Sequence, residues 1–318
     1  MRARLAVLVA VLAAVALLAE PAAARKPLPD LDLSAVKYTR YAFQGEPASQ
    51  ISFCERTTNL GNAGTRRRLH NAMVLIGPGV QEFVARRDVP KLDATSRRRG
   101  HAVHHSHYGC GQGEATPLNL PLGIYEVQIC ADQKLKERSH HNNCYIRSKA
   151  FSVIKRSWTG TVSGDTTLVP TDGMNGKQTW QVGNVTYSFA SAVGQTGQFI
   201  YNVGAANVNY QFTGTSSEGC AATGGVSFPA SSGQLRIDYA NETYDIFGEV
   251  PIGSSIPITI SCPNNSTTLP TPVIVRFLTN GQESGIKTPL PFGHTSLSGS
   301  FQNTSAGIVN YNDQWSLH

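Results

Sequence analysis

The sequence predicts an all-β protein built from two β-sandwich domains, and three observations lead there. Short runs rich in β-branched and aromatic residues alternate with Gly, Pro and Asn turns along the whole chain. Beyond the N-terminus no stretch shows an apolar 3.6-residue period of helical length. The charge also changes sign near residue 157. Residues 25–156 carry 21 Lys+Arg against 11 Asp+Glu, and residues 157–318 carry 4 against 9. The expected domains are therefore 25–156 and 157–318, each long enough to bury a core of its own.

The chain begins with Met1-Arg-Ala-Arg4, an apolar run from Leu5 to Ala19, and the small residues Ala22-Ala23-Ala24 before Arg25. This is the pattern of a secretory signal peptide over residues 1–24. The run is shorter than the ~20 apolar residues that span a bilayer, and Glu20-Pro21 ends it. The expectation is a secreted, extracellular chain with no transmembrane segment after cleavage.

In the first domain the expected strands include Ala48 to Thr58, Ala72 to Ile76, Tyr125 to Ala131 and Tyr145 to Ile154. About seven strands over ~125 residues suggest an immunoglobulin-like sandwich. In the second, Thr179 to Phe189, Leu235 to Tyr239, Ile256 to Cys262 and Val273 to Phe277 alternate or run apolar as strands do, and Asp172-Gly173 and Asn175-Gly176 read as hairpin turns. Tyr125, just after Gly123, suits a core-capping tyrosine of the tyrosine-corner kind.

Six cysteines in a secreted chain should be oxidised, and the count alone allows 15 pairings. Position narrows them. Cys130 and Cys144 would face each other at the mouth of one hairpin, Cys54 and Cys110 lie on other strands of the same domain, and Cys220 and Cys262 are the only pair in the second. On the chain-entropy account a loop of about 15 residues, such as 130–144, gives about 3 kcal/mol.

Several short segments of the first domain resemble the cell-adhesion-related domain found in bacteria, CARDB. They are Pro29-Asp-Leu-Asp-Leu33, Thr57-Thr-Asn-Leu-Gly61, Gly123-Ile-Tyr125, and Asp132 leading through Glu137 to Asn142-Asn143, within a match from about Pro29 to Ile154. The resemblance implies an immunoglobulin-like fold and a surface, adhesive context in a bacterium. The chain departs from the family where His140 stands in place of a second acidic residue, in a loop about two residues shorter.

Signatures of catalysis do not emerge. His-Glu-x-x-His, Gly-x-Ser-x-Gly, a phosphate-cradling loop and Cys-x-x-Cys are all missing from the sequence. His101, His105 and His107 share parity, so on one strand they would project from one face, with His104 opposite and His140-His141 on the hairpin loop. Imidazoles so spaced can ligate Zn²⁺. The preferred reading is an exposed, Arg-flanked strand on which His is merely polar, because no carboxylate support is evident. No cofactor is expected. Trp158, Trp180 and Trp315 could form a sugar-stacking platform, but aromatic residues more often fill cores.

Arg66-Arg67-Arg68 and Arg97-Arg98-Arg99 are the candidate binding residues for an anionic partner, set against the commoner case of a solvated charged face. The expected function is a secreted, non-catalytic adhesion or recognition protein whose partner is a protein or an anionic cell-envelope or extracellular polymer, rather than a nucleic acid. The alternatives are a carbohydrate-binding module in the second domain and a His-based metal-binding protein.

Overall fold

A computed structural model describes residues 26–318 except 78, 169–173, 195–196, 279–286, 292 and 306–308. The expected signal peptide and the Asp172-Gly173 turn lie outside the described residues. Within them the chain is all-β, and no helix is long and apolar enough to cross a membrane.

The first half runs β1 (Leu31–Tyr38), β2 (Tyr41–Phe43), β3 (Ser52–Asn59), β4 (Leu69–Gly77), β5 (Val80–Val89), β6 (Ser96–Arg98), β7 (His101–Val103), β8 (His105–Gln112), β9 (Gly123–Cys130) and β10 (Cys144–Ile154). Eight of these form one sheet in the order β1-β3-β8-β5-β4-β9-β10-β2, and β6 and β7 form a separate hairpin. Because β1 pairs with β3 while the next strand, β2, pairs in parallel with β10, one short segment joins both ends of the sheet and rolls it into a sandwich. Strand β5 carries the other fold line. It bulges between Phe83 and Ala85 opposite β4 and meets β8 at one register pair, Arg86 with Gln112.

The second half runs β11 (Ser157–Leu168), β12 (Met174–Val193), β13 (Gln198–Val203), β14 (Asn207–Ser216), β15 (Ala221–Pro229), β16 (Ser232–Asp238), β17 (Thr243–Glu249), β18 (Ser255–Cys262), β19 (Asn265–Pro272), β20 (Arg276–Leu278), β21 (Thr288–Pro289), β22 (Leu297–Ser305) and β23 (Val309–Leu317). The long strand β12 organises it. Its first part pairs with β14 and its last part with β13, while β11 runs along its other edge. No strand of one half pairs with a strand of the other among the described residues.

All three expected disulfides form. Cys54–Cys110 and Cys130–Cys144 are cross-strand pairs directly opposite in register, and Cys220–Cys262 ties the entrance of β15 to the end of β18. Three local expectations need correction. Ala48–Gln50 is a 3₁₀ turn entered from Pro47, so that strand starts at Ser52. Asn175-Gly176 is not a turn but lies inside β12, paired with Thr215 and Gly214. Val273 to Val275 precede their strand, because the Gln178 side chain takes the Ile274 N–H at 2.8 Å, the Val273 N–H goes to Ser254 O and the Val275 carbonyl accepts from Val250.

The two halves meet through rings. Tyr41 and Phe43 of β2 pack on Phe189 and Phe199 of the second half, with centroids 5.2–5.6 Å apart. Lys155-Arg156, the only residues between β10 and β11, are pinned on both sides. The Tyr201 hydroxyl donates to Lys155 O at 3.0 Å, Lys155 Nζ donates to Thr295 O at 2.9 Å, and Arg156 forks onto Glu46 while lying over the Phe43 ring. Arg156 holds the Glu46 carboxyl below its usual range.

Candidate functional site

Inward-facing residues of β3 change character along the strand, from Phe53 to Glu55, Thr57 and Asn59, all buried. Beside Phe53 lies the apolar core of Met73, Leu75, Tyr125, Val127 and Phe151. Farther along, a charged layer crosses the sandwich. Arg87 ion-pairs with Glu55, whose other oxygen accepts from Thr57 at 2.8 Å, and Asn71 donates to both Glu55 and Thr57 at 2.8 Å. Arg87 also donates to Nδ1 of His107 at 2.7 Å, which leaves the ring proton on Nε2. Past this layer a small apolar cluster of Leu31, Leu69, Val89, Leu92 and Ala131 closes the end of the sandwich.

Three loops are built on that end. Asn59 holds two of them: its Oδ1 accepts from the N–H groups of Asp30 and Gly61, and its Nδ2 donates to the carbonyls of Ala63 and Asp93. Gly61 is required here, since a Cβ would overlap the backbone of Leu28 and Asp30. Thr65 is bonded to Leu92 in both directions and fixes the backbone ahead of Arg67. The third loop, residues 131–143, is closed by Cys130–Cys144. Buried Asp132 accepts from the His70 and Lys134 N–H groups and takes both nitrogens of Arg67 at 3.1 Å. Buried Glu137 accepts the Leu31 N–H at 2.8 Å, and burial pushes its carboxyl above the usual range.

Between these loops opens a cleft of about 1000 Å³. Six basic residues line it: Lys26, Arg66, Arg67, Lys134, Lys136 and Arg138. Arg67 is committed to Asp132. The other five are exposed and have no ion-pair partner among the described residues. Pro29 and Leu135 supply an apolar floor, Leu135 packing on the small cluster beneath. Unpaired cations gathered from separate segments give the cleft a positive potential that only an anion or solvent ions can balance.

The structure places the expected residues unevenly. Arg66 and Arg67 reach the cleft, and Arg68 is exposed next to it in sequence without lining it. Arg97 and Arg98 lie on the β6–β7 hairpin, and Arg99 and Gly100 form its turn, both at positive φ. That hairpin is anchored to the same end by Thr95, whose N–H donates to Gly61 O and whose hydroxyl donates to Asn59 O. His101 belongs to this hairpin, whereas His105 and His107 belong to β8, so the three do not share one strand. Among the described residues the only trio of potential ligand atoms within 4.8 Å is Glu218 with Cys220 and Cys262, and both thiols are spent in a disulfide. Trp158, Trp180 and Trp315 are 0–3 % exposed, which removes the Trp platform from the carbohydrate alternative.

Lys26, Lys134, Lys136 and Arg138 were not anticipated as binding residues. For Lys134, Lys136 and Arg138 the signal was a Lys-x-Lys-x-Arg alternation inside the disulfide loop, less conspicuous than a contiguous Arg triplet; Lys26 stands alone in the N-terminal arm. No family model matches the chain, and no curated protein is significantly similar to it.

Proposed function

We propose that the chain is a secreted, non-catalytic recognition protein whose first half grips an anionic polymer of the cell envelope or extracellular matrix. The observation that carries this reading is the gathering of six cations from two loops and the N-terminal arm around one cleft, five of them without an acidic partner among the described residues. A polymer bearing regularly spaced phosphate or carboxylate groups supplies the balancing charge, and arginine forks suit planar carboxylates and phosphates. Three disulfides fit an oxidising, extracytoplasmic compartment.

The reading takes the first half as an immunoglobulin-like, CARDB-like module. Two features support it. The N-terminal segment divides between the two ends of the sheet, antiparallel to β3 and then parallel to β10. Tyr125 is buried with its hydroxyl donating to Pro121 O, four residues upstream, at 2.7 Å, in the manner of a tyrosine corner.

The test is charge reversal at two places. Lys134→Glu with Lys136→Glu should weaken binding to a polyphosphate-backbone or polyuronate polymer by about a hundredfold, near 2.7 kcal/mol. Arg97→Glu with Arg98→Glu, on the hairpin outside the cleft, should weaken it less. Equal affinity of the cleft variant and the parent protein would refute the reading.

A further inference from the structure

The second half carries a groove of different chemistry, and it does not depend on the basic cleft. Strands β14, β12, β11 and β23 lie side by side. Their registers set two rows of outward-facing residues across the four strands: Gln211, Thr179, Asp165, Asn312 and, one step along, Asn209, Gln181, Ser163, Gln314. Ser163, Asp165, Thr179 and Gln181 sit on the middle strands, and the amides Asn209, Gln211, Asn312 and Gln314 of β14 and β23 stand on either side. The result is a groove of about 410 Å³.

The floor of the groove is stiff. Beneath it lie Val162, Trp180, Tyr210 and Trp315, all buried, with the Trp180 indole donating to Phe277 O at 2.7 Å. Gly164 lets that indole press against the backbone of β11, where a Cβ would overlap the ring. Polar groups mounted on packed strands hold their positions better than groups on loops.

Charge in the groove is nearly silent. Asp165 is its single carboxylate, and it is paired with Lys177 at 3.3 Å and accepts from Asn312 at 3.4 Å. Ser163, Thr179, Gln181, Asn209, Gln211 and Gln314 make no side-chain hydrogen bond among the described residues. Each free amide offers two donors and an acceptor, and each hydroxyl one donor and two acceptor sites. A ligand that satisfies them must itself be rich in neutral donors and acceptors.

We propose that this groove binds a neutral polysaccharide, laid across the strands so that successive sugar hydroxyls meet successive strands. The strand spacing of about 4.8 Å is close to the length of one pyranose unit in an extended chain. Binding comes from hydrogen bonds on a preformed surface rather than from ring stacking, which accords with the burial of all three tryptophans. A chain that holds a polyanion at one end and a neutral glycan on this face would bridge two polymers.

Affinity electrophoresis of the full chain through gels containing a soluble neutral β-glucan, a xylan or a mannan tests this. At least one polymer should retard the protein, to the same degree from about 50 to about 500 mM salt, since uncharged contacts are not screened. Gln181→Ala with Gln211→Ala should weaken that retardation about tenfold or more, with thermal unfolding and polyanion binding both unchanged. Gln211→Glu, nearly isosteric, should weaken it as well. No retardation by any of the three polymers, or equal retardation of the Gln181→Ala, Gln211→Ala protein, would overturn the proposal. Neither result bears on the basic cleft, whose failure would appear only with charged polymers.

Discussion

The two halves are built around different interiors. In the first, Glu55, Arg87, Asn71 and Thr57 are inside, and the charged layer they form underlies two loops and an N-terminal arm that carry unpaired cations. In the second, the inside is largely aromatic, with Thr166, Gln178 and Asp313 also buried. Several of its buried hydroxyl and indole groups are tied to backbone carbonyls or to each other, as with Tyr187 on Phe247 O, Tyr210 on Ile274 O and Trp315 on the Tyr244 hydroxyl, while amides and hydroxyls spread over the outer sheet face. A buried charge network is a poor source of stability but a good device for fixing geometry. An aromatic core stabilises strongly and leaves the outer face free to vary. The first half is thus arranged to position loops, and the second to hold a flat surface rigid.

The sharpest way to break this contrast is to cut into each interior. Trp180→Ala should destabilise the second half by about 3–5 kcal/mol, towards the upper end because Phe277 O loses its donor as well. Chemical denaturation followed by fluorescence checks it, and a loss below about 1 kcal/mol would mean that the aromatic core is not what holds that half. Arg87→Met should cost somewhat less, about 3 kcal/mol, because Glu55 stays buried but keeps Thr57 and Asn71 as donors. Adding Glu55→Leu should recover most of that loss while loosening the loops above, seen as faster amide exchange at 60–68. A double variant as unstable as the single one would show the charged layer to be a net source of stability.

A smaller effect sharpens how the halves are joined. His294 packs on the Tyr239 ring, 5.3 Å between centroids, beside Gly123 of the first half. Burial lowers its pKa, opposed by the Leu122 backbone and by Glu242. A histidine whose folded value is depressed contributes stability above its unfolded value, about 6.5, and loses it as pH falls through the folded value. The melting temperature should therefore decline below about pH 6.5, and His294→Gln should flatten that part of the profile. An unchanged profile in the variant would assign the acid sensitivity elsewhere. Smallest of all, Arg66→Ala and Lys136→Ala should each change stability by no more than about 0.5 kcal/mol, since neither side chain has an internal partner.

Much of the fold was legible because it is encoded locally. Alternation along Tyr125–Ile129 marked a half-buried strand, and the spacing of Cys130 and Cys144 marked the mouth of a hairpin. Glu55 and Arg87 were not legible as an inward-facing pair, because a charged residue within a strand reads as solvent-facing unless its partner, 32 residues away, is known. The cleft was half legible for a similar reason. Arg66-Arg67 stood out as a contiguous run, whereas the cations of the disulfide loop alternate with other residues and gain their meaning only when Asp132, Glu137 and the disulfide bring that loop against 60–68 and the N-terminal arm. The amide groove depends on registers among four strands distant in sequence.

The most direct test is the salt dependence of polyanion binding, measured by titration calorimetry on the parent protein and on a triple variant, Arg66→Ala, Lys134→Ala, Lys136→Ala. The parent's affinity should fall steeply as salt rises from about 50 to about 500 mM, because a cleft of unpaired cations binds by exchanging its screening ions for the polymer. The triple variant should bind weakly, with a much shallower slope. A parent affinity that stays flat across that range, or a triple variant that keeps the parent's slope, would contradict the account.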